Sequence, residues 1–150
     1  LAGMAFNTAS LGINHSLAHA AGAKFHVPHG RLNSILMPHV IQYNAGIEFN
    51  NRNRQATDKT VASRYQDIAK LLGCSASSPV SGVRQLVEAI KKLQRKLEMP
   101  TSLREYGVKA DAFAQYKVEI SEAALHDGCT PTNPRVPTAE ELLKVLEKAF

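Results

Sequence analysis

Four of the six histidines in this chain, His15, His19, His26 and His29, fall between positions 15 and 29. Imidazole is the commonest protein ligand for first-row divalent metals and the usual proton carrier near neutral pH. His15 and His19 are four apart, so on a helix their side chains leave the same face and converge. His29 follows ten positions later, directly after Pro28. If the chain turns at that proline, His29 opens the next helix and joins the other two. The chemistry on offer is metal binding or proton transfer. The structural alternative is a pair of imidazoles making ordinary hydrogen bonds inside an Ala-rich helix. His26, His39 and His126 share no such spacing and are read as structural or surface histidines.

One metal chemistry is excluded at once. A zinc protease needs HExxH, and the run His15-Ser-Leu-Ala-His19 has Ser16 where that motif places its general base. Two or three imidazoles also undersupply a divalent ion, since such sites usually carry three or more protein ligands, often with a carboxylate. No Asp or Glu occurs between Leu1 and Ile47, and no Asp-x-x-x-His pair occurs anywhere in the chain. Either further ligands lie upstream of Leu1, or this is not a complete site.

The elements that must position these residues are helices. Residues 1–21 are rich in Ala and Leu without proline and predict one helix, with Gly22 as its stop. A second helix is expected over 29–43, opened by Pro28 and kinked at Pro38. Residues 44–57 are polar and irregular and predict an exposed loop. Further helices are expected over 61–72, ending at Gly73, and over 81–97, with Val83, Leu86, Val87, Ile90, Leu93 and Leu97 as the apolar stripe. A short turn of helix over 101–106 ends at Gly107. A helix over 112–125 would be capped by Asp111. The last begins at Thr138, where Glu141 three positions on makes a capping box and Leu142, Leu143, Val145 and Leu146 form the inner face. No strand-like alternation and no internal repeat is present. The fold class is all-α.

Composition agrees. A chain of 150 residues with 44% hydrophobic and 21% charged residues, no Trp and 6% aromatics builds its core from small aliphatics. A length of 150 residues suits one domain. The net charge of +5 and pI near 9.4 raise the question of nucleic acid. Lys91, Lys92, Arg95 and Lys96 lie on a periodic helix, and Arg52 and Arg54 sit among Asn50, Asn51 and Asn53. No aromatic residue interleaves them and no recognition motif is present, so they read as solvated faces. Cys74 and Cys129 fit no CxxC pattern and read as free thiols of a reduced, cytoplasmic protein. No run of about 18 apolar residues exists, so no membrane helix is expected. The apolar start at Leu1 lacks the charged n-region of a signal peptide and reads as the middle of a buried segment.

Several stretches carry a resemblance: Gly3-Met-Ala-Phe6, Ser10-Leu-Gly-Ile-Asn-His15-Ser-Leu-Ala-His19, Phe25-His-Val-Pro-His29-Gly30 and Leu36-Met-Pro-His-Val40-Ile-Gln-Tyr-Asn44. With Met99-Pro-Thr-Ser-Leu-Arg-Glu-Tyr-Gly-Val108 and Asp127-Gly-Cys-Thr-Pro-Thr-Asn-Pro-Arg135, they span essentially the whole chain. It resembles the iron-containing alcohol dehydrogenase family, above all the alcohol dehydrogenase part of bifunctional aldehyde-alcohol dehydrogenases and the ethanol and 1-propanol dehydrogenases. The resemblance implies a C-terminal helical domain of the dehydroquinate synthase-like type, residues 1–150, beginning inside that domain and lacking the N-terminal α/β nucleotide-binding domain. It implies His15 and His29 as two of four ligands to Fe2+ or Zn2+, the other two, an Asp and a His, lying upstream. His19 would stand beside the metal and relay the hydroxyl proton. Phe6 would lie near substrate and nicotinamide, and Cys129 in a loop that approaches the cofactor.

The implied activity is interconversion of short-chain primary alcohols and aldehydes by hydride transfer to NAD(P), in a cytoplasmic homo-oligomer. NAD(H) would be held mostly by the missing domain, because this chain has no GG pair and no GxGxxG. The fragment alone is therefore expected to be inactive. The contrasting reading is a stand-alone helical metal-binding or assembly module without catalysis.

Overall fold

A computed structural model describes residues 1–47 and 59–150; residues 48–57 of the expected exposed 44–57 loop, with Arg52 and Arg54, lie outside the described residues, whereas residues 44–47 are buried and Asn44 closes a helix. The elements are α1 (Ala2–Ala9), α2 (Ile13–Phe25), α3 (His29–Asn44), α4 (Lys59–Leu71), α5 (Pro79–Lys96), α6 (Leu103–Tyr106), α7 (Ala110–Leu125), a single 3-10 turn (Thr130–Thr132) and α8 (Ala139–Ala149). No strand occurs among the described residues, as the all-α expectation requires. None of these helices is long and apolar enough to cross a membrane.

The described residues fall into two compact units. One comprises residues 1–37 and 100–150, the other residues 38–99. In the first, α7 lies between α2 and α8. Its core is built from Ile13 and Leu17 of α2, Leu32 and Ile35 of α3, Ile120 of α7 and Leu146 of α8, all nearly inaccessible to water. In the second, α4 packs on α5 around Ala62, Ala69, Val83, Leu86 and Val87. Pro38 lies inside α3, which runs on to Asn44.

Local signals set several boundaries where the sequence places them. The Thr138–Glu141 capping box is complete, each residue's side chain accepting the other's backbone N–H. Of the face expected on α8, Leu142, Val145 and Leu146 are buried and Leu143 is half-buried. α6 opens on the Ser102 hydroxyl and closes at Gly107, whose φ of 116° only glycine adopts readily.

Four expectations are corrected. The single helix over 1–21 is two helices, broken at Ser10, whose φ is 62° and ψ −169°. The cause is tertiary: Asn133 Oδ1 accepts the Ile13 N–H at 3.4 Å, and the Thr132 hydroxyl donates to the Leu11 carbonyl. Backbone groups that would have continued the helix are thus taken up from elsewhere. Gly22 does not stop α2. The helix ends at His26 in the left-handed region, its N–H returning to the Gly22 carbonyl. Gly22 instead lets Leu32 approach, a Cβ there falling 3.3 Å from Leu32 Cδ1.

Asp111 is not the cap of α7. The N-cap is Lys109, and the Asp111 carboxylate lies within the first turn, accepting the Ala112 N–H. On α5, Leu93 and Leu97 are exposed while Gln94 is buried. The helix closes there, Leu97 and Met99 both returning their N–H to the Gln94 carbonyl, and Gln94 falls on the same helix face as Val83, Val87 and Ile90.

Candidate metal centre and proton relay

The histidine cluster forms because a helix pair is closed by a very short turn. His26 ends α2, Val27 is buried, and the Pro28 carbonyl accepts the Arg31 and Leu32 N–H groups, so α3 begins at His29. Ring centroids of His15 and His29 are 5.2 Å apart, those of His19 and His29 also 5.2 Å, and those of His15 and His19 6.1 Å. The His19 and His29 rings are stacked, with 16° between their planes. Three imidazoles from two elements thus share one patch of surface. His15 is half-buried there, and His19 and His29 are exposed.

Each ring is held. His19 Nδ1 lies 2.9 Å from Asp127 Oδ2. His29 Nε2 accepts the Asn33 amide at 2.8 Å, and Asn33 Oδ1 in turn accepts the Asn14 amide at 2.7 Å. Burial, followed by the crowding of His29 and His19, lowers the pKa of His15. A lowered value favours the neutral ring, the form that offers a lone pair to a cation. The donor chemistry therefore fits a first-row divalent metal in kind, with imidazoles presented from two helices, and a carboxylate, Asp127, stands beside His19 in the loop after α7.

That carboxylate is the residue sequence reasoning missed. Asp127 is separated from His19 by 108 positions. Its Oδ1 accepts the Cys129 N–H at 2.8 Å and the Ser16 hydroxyl at 3.3 Å. Behind them the buried Thr130 hydroxyl sits 2.8 Å from Ser16 Oγ and 2.6 Å from the Ala124 carbonyl. Burial alone would raise the Asp127 pKa, but the Cys129 N–H and His19 outweigh it and hold the carboxyl below its ordinary value. The quoted Asp127-Gly-Cys stretch carried the signal, without saying which residue it would meet.

Donor atoms of His19, Asp127 and Cys129 all lie within 4.8 Å of one another. Burial and then the neighbouring Asp127 raise the Cys129 pKa, so its sulfur stays a thiol. With Asp127 engaged by three donors, this group reads as a hydrogen-bonded knot. Both cysteines are free. Phe6 stands on α1, a helix with no buried residue, and is 52% exposed. Of the five residues singled out by sequence, then, His15, His19 and His29 come together with Cys129 beside them, and Phe6 lies on an open helix.

Comparisons agree with one another. The model of the Fe-containing alcohol dehydrogenase family, C-terminal, matches residues 1–150. An NADPH-dependent butanol dehydrogenase from Clostridium saccharobutylicum is 40% identical over 150 residues, covering 100% of this chain and 35% of that protein. An aldehyde-alcohol dehydrogenase from Streptococcus pneumoniae serotype 2 is 37% identical over 158 residues, 100% of this chain and 17% of that protein. A crystal structure of 1,3-propanediol oxidoreductase superposes with a TM-score of 0.82 at 32% identity, over 99% of this chain and 35% of that one. The chain thus spans about a third or less of the length of these relatives.

Proposed function

This chain belongs to the Fe-containing alcohol dehydrogenase family, and from that premise we propose that it is the helical metal-binding part of an oxidoreductase interconverting short-chain primary alcohols and aldehydes. The observation that carries the reading is the convergence of His15, His19 and His29 from two helices on one patch, their ring centroids 5.2 to 6.1 Å apart. His15 and His29 would hold Fe2+ or Zn2+, with the remaining ligands and the NAD(P) site supplied by a nucleotide-binding domain. The cation supplies a Lewis acid for the alcohol oxygen, and the nicotinamide supplies the hydride acceptor.

The chain's own residues do the rest. His15, driven toward neutrality by its burial, presents a lone pair at the working pH. His19 is the proton carrier: it is exposed, so substrate and water reach it, and one nitrogen is engaged by Asp127 while the other is left to exchange a proton. Asn33 steadies His29 through Nε2, and a cation bound there would take the place of that N–H. Phe6 and Cys129 would border the nicotinamide and substrate.

Metal analysis of the complete polypeptide, combined with a panel of primary alcohols and both nicotinamide cofactors, tests the reading. The expected result is a bound first-row divalent metal and alcohol-dependent cofactor reduction that chelation abolishes. Full turnover by a protein stripped of metal would overturn it.

A further inference from the structure

We propose that Asp127 is a positioning residue that holds the His19 imidazole as its Nδ1–H tautomer, leaving Nε2 as the nitrogen that gives and takes the proton. The inference rests on His19 being the proton carrier of the proposed reaction. It is carried by the arrangement of the carboxylate. An ionised carboxylate only accepts, so a ring nitrogen 2.9 Å from Asp127 Oδ2 must carry the hydrogen. In the neutral ring the other nitrogen is then bare.

The carboxylate is itself fixed. Its second oxygen is tied to the Cys129 backbone and to Ser16, and Ser16 lies one residue beyond His15 on α2. One carboxylate therefore bridges the loop after α7 to the helix that bears two of the three histidines. The Asp127 side chain is 22% exposed against 44% for His19, so the anchored partner is the acid and the oriented partner is the ring. A surface ion pair of two free side chains would lack the backbone tie and contribute little order.

The test uses the complete polypeptide with its metal and nicotinamide cofactor. Asp127→Asn is expected to lower kcat about ten- to a hundredfold, the scale for losing a carboxylate that orients a working histidine, with KM and metal content unchanged. Asp127→Glu should restore part of the loss, and it serves as the variant of record should Asp127→Asn fail to fold. In a His19→Ala background, Asp127→Asn should cost nothing more. A second readout needs no turnover: in metal-free, 15N-histidine-labelled protein, the His19 signals should report a protonated Nδ1 and a bare Nε2, and Asp127→Asn should mix the tautomers.

Losses that simply add in the double variant, or an unchanged tautomer in Asp127→Asn, would overturn the positioning role. Wild-type turnover in Asp127→Asn beside a crippled His19→Ala would sink this inference alone. Undiminished turnover in His19→Ala would remove the proton-relay reading, and the inference with it.

Discussion

Gly82 of α5 lies directly against the backbone of Gln66 in α4: a Cβ on Gly82 would fall 2.5 Å from Gln66 Cα. No side-chain rotation relieves a contact with a backbone atom, so the two helices must separate to admit even one methyl group. Gly82→Ala is expected to destabilise this helix pair by about 1–3 kcal/mol, the usual range for overpacking. Urea unfolding measures it, and an unchanged midpoint would refute the close approach.

Histidine substitutions separate ligand from relay. In the complete polypeptide His15→Ala and His29→Ala should each strip most of the metal. His19→Ala should keep it while turnover falls by about 10²- to 10⁴-fold, the usual contribution of a positioned proton carrier. Metal content by elemental analysis beside kcat decides this, and equal metal loss in all three variants would refute the assigned roles.

Much of the histidine patch was legible because its signals are local. An i, i+4 pair on a helix and a proline directly before His29 specify where three imidazoles go, and the rings lie 5.2 to 6.1 Å apart. The Thr138–Glu141 box placed α8 for the same reason. What was not legible is what distant chain imposes. The break at Ser10 depends on Asn133 and Thr132, and the carboxylate on His19 comes from Asp127. Helical periodicity carries no information about partners more than one hundred positions away.

Thr130 supports a stability prediction. Its hydroxyl is buried between Ser16 and the Ala124 carbonyl near the end of α7. Thr130→Val keeps the shape and removes the polar atom, leaving buried groups short of a partner at a cost of about 1–3 kcal/mol. Thermal unfolding of the variant beside the parent checks it, and equal stability would mean that water replaces the hydroxyl.

Glu105 gives the pH dependence a sign. Its carboxylate accepts the Thr101 N–H at 2.6 Å and the Thr101 hydroxyl at 2.8 Å, which lower its pKa from the ordinary 4.5. A depressed folded value means that the charged form is favoured in the native state. The stabilisation is present above the ordinary value and is lost as pH falls through the folded one. Glu105→Gln should therefore lower the melting temperature slightly near neutrality, with the gap to the parent closing below pH 4.5. A gap that stays constant down the acid limb would contradict the assignment.

The start of α2 is secured by Asn133, 120 positions further along. During synthesis the helix bearing His15 and His19 therefore emerges long before the residues that define its first turn, and contacts of such separation form late. A nascent or truncated chain ending before Thr132 has every imidazole of the patch yet nothing to set where α1 stops and α2 begins. The first turn of α2 should accordingly settle only once Thr132 and Asn133 are in place, and until then the apolar flank of α2 stays open to other chains.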